Sequence, residues 1–422
     1  MKLLVPSSVV PHAEHTVRAA NVVLFELLSA LVAEPGIELL FLPVHFGSVT
    51  ELTEKETEGL RALVGAGVCL LPPLLLPPTP VGGRIRIRDI VLASTDLFYP
   101  VIKFRAGLVK LLRNANPDAL LTIWSEPLTA LFSDVPLPKM AYYGNPDPKS
   151  LRARLKFARR HGGGAWVYLR GMLAAATLER AHLREMRKWQ AVPNVAANDA
   201  EYYRRKGHAN SFYLQNVWID RGLAPPTGAH PTADGPVRIA ASVGQLSGTA
   251  NTFGFEYLLD QLLPELRRTF DGLPFELHVF GAGEPNPAVA ALFDAPEVIR
   301  RGFVDDIDAE LAACSSFLCV NNATEYNVGH TRYLHAWSLK CCVVAHANVR
   351  LAMPELKHGQ NVLLGASATE IAEHLLLVAS DSSVRETIAH TGYATFLRHF
   401  TAKPVAAKLA CYLRQLVSTP AD

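Results

Sequence analysis

Six polar residues crowd into a short span late in the chain: Glu325, Asn327, His330, Thr331, Arg332 and His335. They belong to the stretch Asn321–His346, where a polar loop runs into Gly329-His330-Thr331, then a helical pattern, then the apolar run Cys341–Ala345. Amide N–H groups at a helix start lack intrahelical partners, and the helix dipole favours negative charge beside them. Arg332 falls in the first turn, and its guanidinium matches phosphate oxygens two at a time. His335 follows at i+3 on the same helix face. This is chemistry for holding an anion, phosphate foremost, with Glu325 and His330 beside Arg332. A solvated loop next to a buried strand has a similar composition.

Glycine turns elsewhere supply surfaces that a ligand can approach closely. Gly244–Asn251 (GQLSGTAN) follows a strand pattern and precedes a helix; it places Gly244, Gln245 and Asn251 at the turn, yet lacks both GxGxxG and the Gly-Lys-Ser/Thr of a P-loop. An ordinary strand-to-helix turn would look the same. Phe280–Glu284 (FGAGE) ends the next strand with Gly281 and Gly283. Gly302-Phe303-Val304 comes two elements later, where the Phe303 ring is placed either to flank a nucleobase or to fill the core. In the first half, His12 and His15 fall between a strand and a helix, and Trp124-Ser125-Glu126 and Tyr143–Asp147 (with Asn145) follow strands. Arg152, Arg154, Lys156, Arg159 and Arg160 form a basic helical run before His161-Gly162-Gly163-Gly164. No aromatic-interleaved motif accompanies it, so a nucleic-acid partner is not expected.

Positioning these residues takes more than one core, because 422 residues exceed one ordinary domain. Hydrophobic residues make up 49% and charged ones 19%, which describes a globular protein. The net charge of +2 hides an asymmetry: residues 1–220 carry +7 and residues 221–422 carry −5. A basic half suits an anionic partner, such as a lipid surface or a phosphorylated molecule, or is simply a solvated face. The six cysteines lie in apolar runs without metal spacing, as small buried hydrophobes in a reducing cytosol do. Neither a secretory signal nor a membrane-spanning run is evident, since Val68–Val81 is short and rich in proline.

Short continuous apolar runs alternate with helical patterns, the signature of parallel sheets wrapped by helices. Strands are expected at Lys2–Val5, Ile37–Val44, Ala119–Trp124, Lys139–Tyr143 and Val195–Ala197, with helices at Val17–Ala33, Ala175–Trp189 and Asp199–Lys206. Gly222–Val237 has four prolines and no apolar periodicity, so it reads as a linker. Beyond it the alternation restarts. Strands are expected at Arg238–Val243, Phe275–Phe280, Val298–Phe303, Phe317–Asn321 and Val362–Leu364. The helices expected there are Phe253–Phe270, Asp306–Ala313, Thr369–Ala379, Val384–His390 and Lys403–Leu416. The expected organisation is α/β with two Rossmann-like domains: 1–221, a linker at 222–237, then 238–402. A C-terminal helix over 403–422 packs back toward the first domain. Ligands are expected in a cleft at the carboxyl ends of the strands.

In order along the chain, these residues resemble the retaining GT-B glycosyltransferases of family 4, the glycosyltransferase group 1 type. Ala241–Pro264 is similar to that family's strand, glycine loop, Asn, helix and Leu-Pro opening. Leu277–Gly283 (LHVFGAG) resembles its strand with Gly-x-Gly, and Gly302–Ile307 (GFVDDI) its Gly-Phe-Val turn. Met353–Leu364 (MPELKHGQNVLL) resembles its Pro-Glu-Leu, His-Gly-x-Asn run, and Val195–Asp220 its exit from the first domain, with Asn216 and Asp220 in place. The departures are specific. Where the family carries Glu-x7-Glu, with the second Glu on the donor ribose, this chain has Asn327 and His335, with Glu325 two residues upstream. The family's Arg and Lys after the first strand are replaced by Gln245 and a Thr/Asn pair.

The resemblance implies a glycosyltransferase that moves a sugar from a UDP- or GDP-sugar donor to a glycan, lipid-linked or small-molecule acceptor. It would act with retention and without an essential metal or other cofactor. Arg332, Glu325 and His330 would serve the reaction. The donor would be held by Gly244, Gln245, Asn251, Gly281, Gly283, Phe303, Val304, Asn327, Gly329, Thr331 and His335. His12, His15, Glu126 and Asn145 would stand on the acceptor side. Polysaccharide biosynthesis is implied as the setting; the cysteine pattern adds a cytoplasmic location, and the +7 half adds peripheral contact to an anionic membrane at its inner face. The alternatives are a GT-B nucleotide-sugar epimerase or hydrolase, and a silent carbohydrate-binding relative.

Overall fold

The computed structural model describes residues 1–13, 19–47, 53–76, 98–220, 222, 235–324, 326–329 and 331–418. It comprises two compact units, Met1–Val217 with Ala402–Asp422, and Trp218–Thr401.

The first unit is built on β1 (Lys2–Ser7), β2 (Glu38–Phe46), β3 (Cys69–Leu70), β4 (Leu74–Leu76), β5 (Ala119–Ile123) and β6 (Lys139–Tyr142). The sheet order is β3-β2-β1-β5-β6, with β4 also on β2, and every pairing is parallel. Leu3, Leu4 and Val5 in β1, like all five residues of β5, are buried. A parallel sheet covered on both faces selects such continuous apolar runs. The helix Ala19–Val32 buries Val22, Val23, Leu24, Leu27, Leu28 and Leu31. It packs against the helix Ala402–Ser418, the last element of the chain.

The short parallel pair β7 (Val192–Asn194) and β8 (Ser211–Tyr213) lies beside β6. The strand expected at Val195–Ala197 therefore falls three residues earlier, and a helix begins at Ala197. Pro193 is tolerated inside β7 because its carbonyl, not an N–H, is what is needed: Tyr143 N–H donates to it at 2.8 Å. The helix expected over Ala175–Trp189 begins earlier, spanning Ala165–Met186.

The second unit contains β9 (Val237–Ser242), β10 (Phe275–Phe280), β11 (Val298–Gly302), β12 (Ser316–Cys319), β13 (Val343–His346) and β14 (Leu363–Gly365). Their order, β11-β10-β9-β12-β13-β14, is again all parallel. The chain winds one way from β9 to β11, then crosses to β12 on the other side. That reversal is the switch point at which open α/β sheets bind ligands.

The helix expected over Phe253–Phe270 starts at Thr249 and changes pitch at Leu258–Leu262, where a π turn carries it to Pro264. Proline has no N–H for an i−4 carbonyl, and a wider turn accommodates the break. The expected Val384–His390 helix extends over Ser382–His399. Its polar end, Thr391–His399, lacks the apolar stripe that would reveal it. Cys314, Cys319, Cys341 and Cys342 are buried as expected. Cys69, on a short outer strand, and Cys411, on the C-terminal helix, are exposed.

Packing fixes the helix that carries Arg332. Trp337, the next-to-last residue of Thr331–Ser338, is fully buried, and its Nε1 donates to the Asn361 carbonyl at 3.1 Å. Gly392 lies against that ring: a Cβ there would come within 2.6 Å of the indole. Asn361 itself staples the His358-Gly359-Gln360 turn, accepting from Lys357 N–H at 2.8 Å and donating to the Glu355 carbonyl at 2.8 Å. The His-Gly-x-Asn run is thus a seat for Trp337. Gly392→Ala should destabilise the protein by about 1–3 kcal/mol through overpacking. Chemical denaturation checks this, and an unchanged midpoint would refute the seating.

Candidate functional site

Three glycine turns and one helix start converge at the carboxyl ends of β9, β10, β11 and β12. Gly244 follows β9 with φ of 107°, and Gly281 follows β10 with φ of 138°. The two backbones are so close that a Cβ on Gly281 would lie 1.7 Å from the Gly244 carbonyl oxygen. No side chain fits there. Gly281 N–H donates to the Gly302 carbonyl at 2.8 Å, and Leu246 N–H to the Ala282 carbonyl at 3.1 Å, so the turns brace one another. Gly283, with φ of 84°, lies near the Gln245 side chain. Gly244, Gln245 and Gly283 remain exposed, presenting backbone to any ligand.

Arg332 reaches into this cradle from the first turn of Thr331–Ser338. Its Nε donates to the Val243 carbonyl at 2.9 Å, and its Nη2 lies 3.8 Å from where a Gly244 Cβ would stand. Its Nη1 is buried and has no hydrogen-bond partner among the described residues. Burial pulls the guanidinium below its ordinary value, opposed by Cys319 and Tyr333 beside it. Guanidinium groups keep their charge near neutrality. A half-buried cation with an unused donor fits an anionic oxygen.

The loop before this helix is shaped internally. Asn322 and Val328 exchange two bonds: Asn322 Nδ2 donates to the Val328 carbonyl at 3.0 Å, and Val328 N–H donates to Asn322 Oδ1 at 3.2 Å. Asn327 and Gly329 flank that clamp and are half-buried, as is Thr331. Glu325 and His330 lie outside the described residues. Phe303 does not fill the core; it is 67% exposed, with Val304 half-buried beside it. Gly302, with φ of 69°, turns the chain just before it.

Two candidates prove to be committed elsewhere. Asn251 is fully buried: its Nδ2 donates to the Gln245 carbonyl at 2.7 Å, while its Oδ1 accepts from Ser242 and from Asn321. It shapes the Gly244–Leu246 turn rather than presenting itself to a ligand. His335 is buried too, with Nε2 at 2.6 Å from an Asp308 carboxylate oxygen and its ring 5.2 Å from that of Trp218. The imidazole expected to replace the ribose carboxylate is thus occupied by a partner on another helix. Sequence reading missed Val243, Asn321, Asp308 and Trp218, since they lie far away along the chain and act through a carbonyl or a buried contact.

In the first unit, Glu126 sits just beyond β5, where Trp124 is forced to a left-handed φ of 49°. Its buried carboxylate accepts from Tyr99, from Tyr143 and from Asp147 N–H. His182 approaches it at 3.4 Å and bonds Tyr203 at 2.6 Å. Burial raises the Glu126 carboxyl against the lowering effect of those donors. Asp147 is pushed up to about 7 by burial and by Glu126, and burial holds His182 down to about 4. Asn145, at a left-handed φ of 54°, donates its N–H to Asp199 at 2.7 Å. His12 is buried, with Nε2 4.0 Å from Glu58 and its ring close to Gly59. His15 lies outside the described residues. Tyr99, His182 and Tyr203 had no motif to signal them.

Residues 238–381 match the family described as Glycosyl transferases group 1. The C-terminal half carries a glycosyltransferase group 1 domain. The whole chain is similar to solved structures of two-domain α/β proteins. Sucrose-phosphate synthase from Thermosynechococcus elongatus aligns with 14% identity and a TM-score of 0.64, covering 98% of each chain. HepE from Anabaena, solved in complex with UDP-glucose, aligns with 14% identity and a TM-score of 0.58, covering 98% of this chain and 100% of that one. TarM from S. aureus, solved with α-GlcNAc-glycerol and UDP, aligns with 10% identity and a TM-score of 0.59, covering 99% and 100%. No curated protein sequence matches the chain. The fold is GT-B, and residues 238–381 of it are a glycosyltransferase group 1 domain.

Two measurements test this geometry. Asn251→Ala should cost about 1–3 kcal/mol, because the Gln245 carbonyl and Asn321 lose buried partners. It should also weaken ligand binding by the group 1 domain by loosening the Gly244 turn, and full stability would refute that role. The second concerns pH. Glu126 and Asp147 keep protons when folded that they release when unfolded, so their share of stability falls as pH rises above the ordinary carboxyl range, for Asp147 toward about 7. Asp147 is partly open to solvent, which screens its share and leaves the fully buried Glu126 the larger contributor. His182 is neutral when folded above about 4 but charged when unfolded below its ordinary 6.5, so its share rises across that interval. In His182→Gln only the falling share remains. Its melting temperature should drop more steeply with pH than the native protein's, and matching slopes would refute the coupling.

Proposed function

We propose that the group 1 domain binds a nucleoside-diphosphate sugar and that the protein transfers its sugar to a hydroxyl acceptor with retention. The observation that carries this reading is the half-buried Arg332 guanidinium beside Gly244, whose buried Nη1 lacks a partner among the described residues. A diphosphate oxygen supplies the acceptor that Nη1 lacks. The exposed turns at Gly244 and Gly283 let backbone approach the phosphates, and the exposed Phe303 ring offers a face for the nucleobase. Asn327, Gly329 and Thr331, at the helix start, stand where sugar hydroxyls and phosphate oxygens are held. HepE and TarM were solved with UDP-bearing ligands, which favours UDP-sugars ahead of GDP-sugars as the first donors to try. A glycan or lipid-linked acceptor, in polysaccharide biosynthesis, suits the basic first half.

The proposed step breaks the bond between the anomeric carbon and the diphosphate oxygen, and the acceptor oxygen bonds to the same face. The departing diphosphate oxygen takes the acceptor's proton, so no pair of enzymic carboxylates is required, unlike glycoside hydrolysis. Arg332 and neighbouring amides stabilise the negative charge that grows on the diphosphate. One preorganised donor of this kind typically contributes ~3 kcal/mol. The reading includes no essential metal.

Arg332→Ala should lower kcat/KM by about 10²–10³-fold and weaken nucleotide-sugar binding. Initial rates with candidate acceptors, and thermal shifts with UDP-, GDP- and ADP-sugars, measure this. Unchanged rates and shifts would sink the reading. Rapid donor turnover without any acceptor would point instead to hydrolysis or epimerisation. Addition of EDTA should leave the rate within about twofold, and a rate restored only by divalent cation would refute metal independence.

A further inference from the structure

The first unit bears a helical hairpin with an unusual surface. The helix Asp147–Arg160 turns through His161–Gly164 into the helix Ala165–Met186. Gly171 lets the second helix press onto the first: a Cβ there would come within 2.4 Å of Leu155. The turn is pinned by Gly163 N–H to the Ala158 carbonyl at 2.7 Å and by Arg159 to the Gly163 carbonyl at 3.1 Å. The tip is therefore a built structure, with helix faces set by packing.

Its outward face is apolar. Trp166, Leu169 and Leu173 recur at helical spacing and are 66%, 59% and 41% exposed, and Val167 beside them is 68% exposed. Among the described residues, the other exposed large hydrophobics fall singly or two to an element. Cations frame this stripe. From Pro148 to Leu178 the sequence has Lys149, Arg152, Arg154, Lys156, Arg159, Arg160 and Arg170, with no Asp or Glu. Lys149 and Arg152 pair with Asp199 and Glu179 away from the tip, and Arg154, Arg159, Arg160 and Arg170 stand at exposed positions. A soluble surface rarely combines a contiguous apolar stripe with charge of a single sign.

We propose that this hairpin tip docks on the surface of an anionic phospholipid bilayer. Trp166, Val167, Leu169 and Leu173 enter the headgroup boundary, and the arginines meet lipid phosphates. An interfacial helix needs an apolar face, an aromatic anchor and flanking cations, and all three occur here. A second copy of the chain fits poorly, because it would set one basic tip against another. No helix among the described residues is long and apolar enough to cross a membrane, and surface docking requires none. The inference deepens the functional reading by placing a lipid-linked acceptor near the protein, but vesicle binding itself is independent of donor binding.

The test is co-sedimentation of the full chain with vesicles of phosphatidylcholine alone or mixed with phosphatidylglycerol. Binding should require the anionic lipid and weaken with salt. Trp166→Ala/Leu169→Ala and Arg159→Gln/Arg160→Gln should each lower partitioning by about tenfold or more. Melting temperatures of both variants confirm the fold, and thermal shift with nucleotide sugars, without vesicles, separates the two readings. Vesicle binding without a donor shift keeps this inference and removes the donor reading; a donor shift without vesicle binding does the reverse. Native-level partitioning by both variants overturns the proposal. So does lipid-free self-association that the apolar variant abolishes.

Discussion

A guanidinium held under a strand end by one carbonyl is the constraint around which the second unit is organised. Removing a cation from water is costly unless partners replace the lost hydration. Arg332 is only partly compensated, by the Val243 carbonyl, and its buried Nη1 has no partner among the described residues. Maintaining that arrangement requires the surrounding parts. Trp337 and Gly392 seat the helix, and Asn361 holds the turn beneath Trp337. Asn251 and Asn321 hold the opposite turn from below. Much of what resembles a family motif in the sequence is this support, not contact with ligand.

The two units use sheet polarity in different ways. In the group 1 domain the strand ends carry glycines and one unsatisfied cation, a surface left open for a charged molecule. At the corresponding edge of the first unit's sheet, Glu126 is surrounded by tyrosines and a neutral histidine, so its polarity is satisfied internally. One edge exposes glycine backbone beside a cation; the other is a closed network. His182, short of a proton at neutral pH, and Glu126, slow to lose one, balance each other there.

Parallel strands were legible in the sequence because burial on both faces demands near-continuous apolar runs, and β1, β5, β12 and β13 display them. Arg332 was legible because a cation at a helix start has few structural uses. Phe303 was ambiguous, since an aromatic after a strand suits a core or an exposed turn, and only solvent exposure separates the two. His335 was misleading for a different reason. Its partner Asp308 lies 27 residues away, and a buried pair between two helices leaves no periodic trace. Pro193 and Pro264 disguised a strand and a helix, because the backbone adapts to a missing N–H in ways that composition does not reveal.

The last helix also has a consequence for how the protein is made. Ala402–Ser418 belongs to the first unit, yet the ribosome delivers it after the whole of the second. Until then the strongly apolar helix Ala19–Val32 lacks its partner. At ordinary synthesis rates the wait lasts on the order of ten seconds or more. The second unit, contiguous in the chain, can close on itself during that time. The first unit is therefore begun first and finished last. Its exposed leucines and valines make the nascent chain a natural client for chaperones.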